Sequence, residues 1–178
     1  DKGLGILLDD LEAKNLMDDT IILIYSDHKN YSSLPITFEH TPNSDIPYEV
    51  DKLPFILYAK ELGHQEVDIL SSHYDITPTL LDLLGIPFYR DLYYGQSIFL
   101  ENRIDKPIIL SHSNWITLTH MVRFDEVVLG TLSPEEFMQI KLEIYGTIEL
   151  FEMIMFSNYY AMDDRFFEIP EIHTQNDA

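Results

Sequence analysis

The stretch Asp18-Asp19-Thr20-Ile21-Ile22-Leu23-Ile24-Tyr25-Ser26-Asp27-His28 decides the fold. Residues 21–25 form an unbroken apolar, mostly β-branched run, which is typical of a strand covered on both faces, as in a parallel sheet between helices. Asp27 and His28 follow directly. Because ligands of open α/β sheets lie beyond the carboxyl ends of strands, this pair predicts half of a divalent metal site. A simpler interpretation, a polar turn with Asp27 as a cap, stays open.

Composition narrows the possible functions. The chain has 178 residues, 46% of them apolar, which is enough for a real core. Its formal charge of −20 comes from 31 acidic and 11 basic residues and argues against nucleic-acid binding, because such a field repels phosphate. The lack of cysteine excludes disulfides and thiolate chemistry. No signal peptide or membrane span is visible, and we expect the chain to be a piece of a longer protein.

Helix and strand signals surround this stretch. Residues 4–14 predict a surface helix whose buried stripe is Leu4, Leu7, Leu8 and Leu11, and Asn15 is suited to end it. Residues 53–59 predict a second apolar strand. Thr77 is the expected N-cap of the next helix, Pro78 its first residue and Gly85 its C′ residue.

The polar residues 29–52 predict a long loop over the carboxyl edge of the sheet. This loop contains His40 and begins with Lys29, and His73 precedes the following helix. All three side chains are candidates for contact with a substrate. The alternatives are a surface loop with an incidental histidine and, for His73, a structural histidine.

The last third predicts a small antiparallel meander followed by a long helix. Residues 107–110, 115–122 and 126–129 have strand patterns. Ser133 and Pro134 predict the start of the helix, and its apolar stripe is more typical of a core than of a partner surface. The stripe consists of Phe137, Ile140, Ile144, Ile148, Phe151 and Met155. Residues 161–178 are expected to form an acidic tail.

Two motifs in this order carry a family resemblance. They are Asp-Asp-Thr-Ile-Ile-Leu-Ile-Tyr-Ser-Asp-His, ending at residue 28, and Ser-His-Tyr-Asp-Ile-Thr-Pro-Thr-Leu-Leu-Asp-Leu-Leu-Gly-Ile, ending at residue 86. With the Gly95-Gln96-Ser97-Ile98 turn, they resemble the C-terminal part of the sulfatase family in the alkaline phosphatase superfamily. The likeness is greatest to the lipoteichoic acid synthase type of phosphoglycerol transferase.

The resemblance implies an α/β fold with a mostly parallel sheet and flanking helices, truncated, plus a small C-terminal antiparallel subdomain with a long helix. The implied divisions are residues 1–100 for the core, 101–160 for the subdomain and 161–178 for the tail. Asp27 and His28 match the family's metal ligands, for manganese, magnesium or calcium. Lys29 replaces the glycine usual after Asp-His in sulfatases.

The resemblance also implies the chemistry and its limits. The family's nucleophile and first acidic ligand lie in an N-terminal half that this chain does not contain, so we expect the chain to be inactive alone. We also expect the chain to self-associate, because the loss of that half would uncover an edge of the sheet. The complete protein would act on anionic phosphate or sulfate esters, possibly lipid- or glycan-linked, outside the cytoplasmic membrane. A sulfuric ester hydrolase and a non-catalytic α/β interaction domain are the alternatives.

Overall fold

The structure, a computed structural model, describes residues 2–28 and 52–162. The chain divides into two compact units, residues 1–68 and residues 69–178. The first unit contains helix α1 (Lys2–Ala13) and strands β1 (Ile22–Tyr25) and β2 (Phe55–Tyr58). The second contains helix α2 (Ile76–Leu83), strands β3 (Ile108–Ser111), β4 (Asn114–Ile116), β5 (Met121–Arg123) and β6 (Glu126–Leu129), and helix α3 (Pro134–Ser157).

The first unit begins as the sequence predicts. Asn15 follows α1 with a φ of 55° and ends it, because asparagine tolerates this left-handed conformation. Leu4, Leu8 and Leu11 are half-buried, but Leu7 is 48% exposed, so the predicted buried stripe of α1 is only partly covered. Lys60 bonds Asp18 at 2.5 Å and joins the two segments that flank the strands.

The strands of the first unit correct one expectation. The α/β class is confirmed, but β1 pairs antiparallel with β2, with Leu23 opposite Leu57. Both sheets of the described residues are antiparallel, so the mostly parallel arrangement is not found there. The predicted covering of both faces is not found either, since Tyr25 of β1 is 48% exposed and Ile56 of β2 is 56% exposed. The physical reason is that an apolar run favours a strand but does not show the direction of the neighbouring strand or what covers each face.

Helix α2 begins earlier than predicted. A 3-10 turn, His73–Asp75, leads into it, and Asp75 is its N-cap, so the prediction of Thr77 as the cap was wrong. The reason is that the Asp75 carboxylate accepts the Ser72 backbone N–H at 2.8 Å, which starts the turn three residues upstream. Gly85 ends the helix as predicted, with a φ of 63°.

The four remaining strands form the predicted antiparallel meander in the order β3-β4-β5-β6. The predicted strand at residues 115–122 is two strands, because the chain reverses between Ile116 and Met121. Within that reversal Thr117 donates its backbone N–H to the His120 carbonyl at 2.8 Å. Asp125 lies in the next turn with a φ of 62°, where a turn was expected.

Helix α3 covers the meander with one face. Ile144 is completely buried and packs with Trp115 and Val122, and Phe137, Ile140 and Ile148 flank this core. The prediction of core packing is therefore confirmed for these positions, whereas Met155 is 79% exposed. No helix in the described ranges is long and apolar enough to span a membrane.

An aromatic cluster joins the far end of α3 to the segment before α2. The Phe151 ring stacks on Tyr74 at 5.7 Å and meets Tyr94 edge-on at the same distance. The Tyr94 hydroxyl donates to the Pro107 carbonyl at 2.6 Å. Burial raises the pKa of Tyr94, and the Glu143 carboxylate adds to this effect. The hydroxyl therefore stays protonated and remains a donor at every ordinary pH.

The start of α3 makes a pH-dependent contribution to stability. Ser133 donates its backbone N–H to the Glu136 carboxylate at 2.9 Å, and Glu136 N–H donates to the Ser133 hydroxyl at 3.2 Å. This capping box lowers the pKa of Glu136 below its ordinary value of 4.5. Because the folded pKa is the lower one, the stabilisation is complete above pH 4.5 and is lost as the pH falls through the folded value.

We predict that Glu136→Gln lowers the thermal midpoint at pH 7 and that its difference from the wild type is smaller at pH 3, because the stabilisation begins to be lost below pH 4.5. Circular dichroism melts at both pH values test this. Glu135→Gln is the matched control, since Glu135 lies in the same turn but makes no capping bond, and its melt should differ less. An equal loss in both variants, or a pH-independent one, would contradict the role of the box.

Candidate functional site

The candidate metal ligands lie at the carboxyl end of β1. His28 Nε2 is 3.7 Å from Asp27 Oδ1, and the two side chains are 58% and 85% exposed. The Ser26 hydroxyl donates to the His28 carbonyl at 2.8 Å and fixes the turn that presents them. The sequence places this pair directly after the strand because the apolar run ends at Tyr25. The two side chains approach each other in open space beyond the strand.

The donor atoms suit a hard or borderline divalent cation. Ligands that each lie about 2.1 Å from one ion are roughly 3–4 Å apart, so the observed separation is compatible with a shared ion. A carboxylate oxygen suits manganese, magnesium or calcium, and a neutral imidazole nitrogen is a common metal ligand. Within the described ranges no group of three or more His, Cys, Asp or Glu side chains could hold a metal. The pair thus supplies at most part of a coordination shell.

The other candidate residues have different positions. Lys29 and His40 lie outside the described residues, as do most of the predicted loop and residues 163–178 of the predicted tail. His73 belongs to the second unit, where its exposed side chain lies on the turn before α2. That turn is held in place by a buried carboxylate two residues further on.

Asp75 is the buried carboxylate of the second unit, with only 7% of its surface exposed. Its Oδ2 accepts the Ser72 N–H at 2.8 Å, and its Oδ1 accepts the Gln96 N–H at 2.7 Å. Arg103 Nη2 lies 3.3 Å from Oδ2 and supplies the opposite charge. One side chain therefore joins the α2 turn, the Gly95–Ile98 turn and the segment before β3.

Arg103 and Thr79 complete this network. Arg103 Nη1 donates to the carbonyls of Gln96 and Ser97 at 2.6 and 2.9 Å. The buried Thr79 hydroxyl donates to the Asp75 carbonyl at 2.6 Å and accepts the Ile98 N–H at 3.1 Å. The role of Arg103 was not predicted, because a single arginine in a polar segment has no periodic signal. Its partners Asp75, Gln96 and Ser97 do belong to the motifs that carry the family resemblance.

Gly95 is required by this packing. A Cβ on Gly95 would overlap the backbone carbonyl of Tyr74, which passes directly over it. Only glycine permits such a close approach of two backbone segments. The resemblance of Gly95-Gln96-Ser97-Ile98 to a family turn thus has a structural explanation in the contact with Tyr74 and Asp75.

The first unit also contains an open cavity of about 420 Å³. Its lining includes apolar side chains from α1 and β2 and two carboxylates, those of Glu12 and Asp18. Asp18 already pairs with Lys60. The cavity is therefore a mixed surface beside the strands, separate from the turn that carries the candidate metal ligands.

The comparison with protein families identifies the first half of the chain. Residues 1–86 match the sulfatase family model. This sulfatase-like segment contains both β1 with its Asp27-His28 turn and α2 with its Asp75 cap. The match confirms the resemblance predicted from the two motifs.

A solved structure shows the same fold. The chain is similar to the lipoteichoic acid synthase LtaP from Listeria monocytogenes, with a TM-score of 0.62 and 20% sequence identity. The similarity covers 84% of this chain and 42% of that chain, so this chain spans less than half the length of LtaP. At this identity the likeness establishes the fold. No match was found among curated proteins.

We predict that Asp75→Asn destabilises the chain by about 2–4 kcal/mol, because the amide brings N–H groups against backbone N–H donors and leaves Arg103 buried without its counter-charge. Urea unfolding followed by tryptophan fluorescence measures the effect. Asp82→Asn is the matched control, since Asp82 pairs with the exposed Arg90 at 2.6 Å, and it should cost less than about 1 kcal/mol. Equal losses of stability in the two variants would contradict the structural role of the buried Asp75 carboxylate.

Proposed function

We propose that this chain is the C-terminal portion of a metal-dependent, sulfatase-like enzyme that acts on phosphate esters, as a phosphoglycerol transferase or phosphodiesterase. The observation that carries the proposal is the Asp27-His28 pair, 3.7 Å apart at the end of β1, within a segment that matches the sulfatase family. The likeness of its fold to a lipoteichoic acid synthase favours phosphorus over sulfur.

In this proposal Asp27 and His28 are two ligands of a divalent metal, which is manganese, magnesium or calcium. The metal would polarise the ester and neutralise developing negative charge. Asp27 would contribute an anionic oxygen and His28 a neutral nitrogen, and the remaining ligands would come from another part of the protein. The turn that Ser26 fixes carries both side chains, which are exposed and have their donor atoms 3.7 Å apart.

Lys29, His40 and His73 are the proposed contacts to the anionic ester. Lys29 directly follows the ligand pair, so its ammonium would meet the negative ester beside the metal. His73 is exposed on a turn whose backbone is held by Asp75. Both side chains can donate hydrogen bonds or carry a positive charge. An anionic ester needs such contacts, because the rest of the chain is strongly acidic and repels it.

Two other functions have support. The family match favours a sulfuric ester hydrolase as the second candidate, since the metal chemistry is the same for both esters. A non-catalytic interaction domain is the third candidate, because the exposed Asp27-His28 pair is also compatible with a simple polar turn. The metal experiment below distinguishes the third candidate from the other two.

We further propose that the complete protein works on the extracytoplasmic face of the cell membrane. Its substrate there would be an anionic ester linked to a phospholipid or a glycan, and its nucleophile would lie in an N-terminal half outside this chain. The chain covers 42% of LtaP, which agrees with a division of the active site between two halves. Nucleic acid is not an expected partner, because the charge of −20 repels it.

The metal proposal predicts selective relaxation by Mn²⁺. In NMR spectra of the 178-residue chain, low concentrations of Mn²⁺ should broaden the His28 ring signals before those of His64, an exposed histidine of the same unit. Asp27→Asn should weaken this effect at least tenfold, because it removes the anionic ligand. Equal broadening of both histidines in the wild type would exclude the metal site and favour the non-catalytic domain.

The same purified chain, with Mn²⁺ present, should not hydrolyse bis-(4-nitrophenyl) phosphate or 4-nitrophenyl sulfate, because in this proposal the nucleophile lies outside these 178 residues. Hydrolysis that Asp27→Asn abolishes would contradict the division of the active site and leave the metal role intact. The preference for one ester in that case would separate the phosphodiesterase from the sulfatase.

The strands of the first unit predict self-association of the isolated chain. A two-stranded sheet is marginal in water, and β2 presents Phe55, Ile56 and Tyr58 with exposed fractions of 38%, 56% and 37%. We expect sedimentation velocity to show dimers formed by pairing of exposed strand edges. Ile56→Lys should lower the dimer fraction and Leu16→Lys, an equal charge change off the sheet, should not. A monomeric wild type at high concentration contradicts the proposal.

A further inference from the structure

Helix α3 has a second apolar face that the described residues leave largely exposed, although the Tyr145 ring on it also contacts the His112 ring at 5.0 Å. Met138, Leu142, Tyr145, Met153 and Phe156 lie on it with exposed fractions of 54%, 65%, 39%, 60% and 89%. Their spacing of four, three, eight and three residues repeats the helical period, so they form one stripe. We call these five residues the outer stripe. The core face of Phe137, Ile140, Ile144 and Ile148 is a different side of the helix.

The outer stripe is long enough to hold a partner helix. From Met138 to Phe156 it extends for about 27 Å along the axis, since each helical residue rises 1.5 Å. Scattered apolar residues are normal on protein surfaces, but five large ones aligned on one helix face favour an interaction site, even with one position of the row, residue 149, occupied by glutamate. Amphipathic helices recognise such rows with side chains spaced three and four residues apart.

Carboxylates accompany the stripe and set the charge of its partner. Glu149 occupies the position between Tyr145 and Met153 where the helical period leaves a gap, and Glu135 and Glu152 lie beside the row. All three are exposed. Lys141, the one basic residue of α3, points instead to Asp125 at 2.8 Å and has a side chain only 20% exposed. The stripe is therefore apolar, with one carboxylate at its centre, Glu149, and two beside it, Glu135 and Glu152.

This charge argues against two other occupants. A second copy would bring Glu149 and Glu152 of both helices into one apolar interface, where buried carboxylates of like charge are costly. A lipid surface with anionic head groups would repel the same carboxylates. A cationic partner would instead form ion pairs with these carboxylates across the interface.

We propose that the outer stripe of α3 is a docking site for a cationic amphipathic helix of a partner protein. Apolar side chains of that helix pack between Leu142, Tyr145 and Met153, and lysine or arginine beside them pairs with Glu149 and Glu152. This inference does not depend on the proposed enzyme function, because α3 lies outside the segment that matches the sulfatase family.

The test is titration of the whole chain with a labelled 18-residue helical peptide of leucine and lysine, followed by fluorescence anisotropy. Leu142→Gln/Met153→Gln should weaken binding at least tenfold. Glu149→Gln/Glu152→Gln should weaken it and reduce its dependence on salt. The controls are Leu118→Gln, an equally exposed apolar residue elsewhere, and Glu101→Gln/Glu126→Gln, an equal charge change elsewhere, and neither should alter the affinity.

Each contrary result overturns the proposal. Equal losses in the stripe and control variants would show non-specific attraction to an acidic protein. Dimers that dissociate on Leu142→Gln/Met153→Gln would make a second copy the occupant. Tighter binding to phosphatidylglycerol vesicles than to the peptide would make it a lipid surface. Unchanged fluorescence of the fully buried Trp115, the single tryptophan, verifies that the variants fold.

Discussion

The second unit depends on the buried Asp75 carboxylate. It accepts backbone N–H groups from two separate segments, at Ser72 and Gln96, and faces the Arg103 guanidinium. Burying a carboxylate is costly unless hydrogen bonds and a counter-charge replace water, and here both are present. Because the partners are far apart in sequence, the network forms only when the α2 turn, the Gly95 turn and the segment before β3 have come together.

The same contacts connect sulfatase-like sequence to the meander. Arg103 and the Tyr94–Pro107 hydrogen bond lie between the matched segment and β3, and Phe151 of α3 packs on Tyr74 just before α2. Helix α3 therefore contacts the meander near its start and the aromatic cluster near its end. The predicted boundary between residues 100 and 101 stays a prediction, but hydrogen bonds from the Arg103 side chain cross it.

The candidate metal pair has a different character from Asp75. Asp27 and His28 are exposed and make a turn at the end of a short two-stranded sheet, whereas Asp75 is enclosed by its partners. An exposed carboxylate remains available to a ligand, and an enclosed one is committed to structure. The two family motifs thus contribute differently, the first to proposed chemistry and the second to the position of His73 and the packing of the second unit.

The sequence by itself determined the elements whose signals are local. The strand before Asp27, the left-handed Asn15, the Gly85 stop, the Ser133 capping box and the core face of α3 follow from hydrophobic period and terminal residues. The position of the candidate pair Asp27-His28 was likewise predictable, since it directly follows the strand, and its metal-binding role stays a prediction. These features depend on neighbours within one or two turns, which the sequence shows.

Only the tertiary structure decided the rest. The antiparallel pairing of β1 with β2, the reversal between Ile116 and Met121, and the start of α2 at Asp75 each depend on residues distant along the chain or on a competing side chain. The local sequence does not predict the contacts of Arg103, because its partners lie several residues or more away. It also does not predict which apolar face of α3 is exposed, because that depends on what packs against the helix.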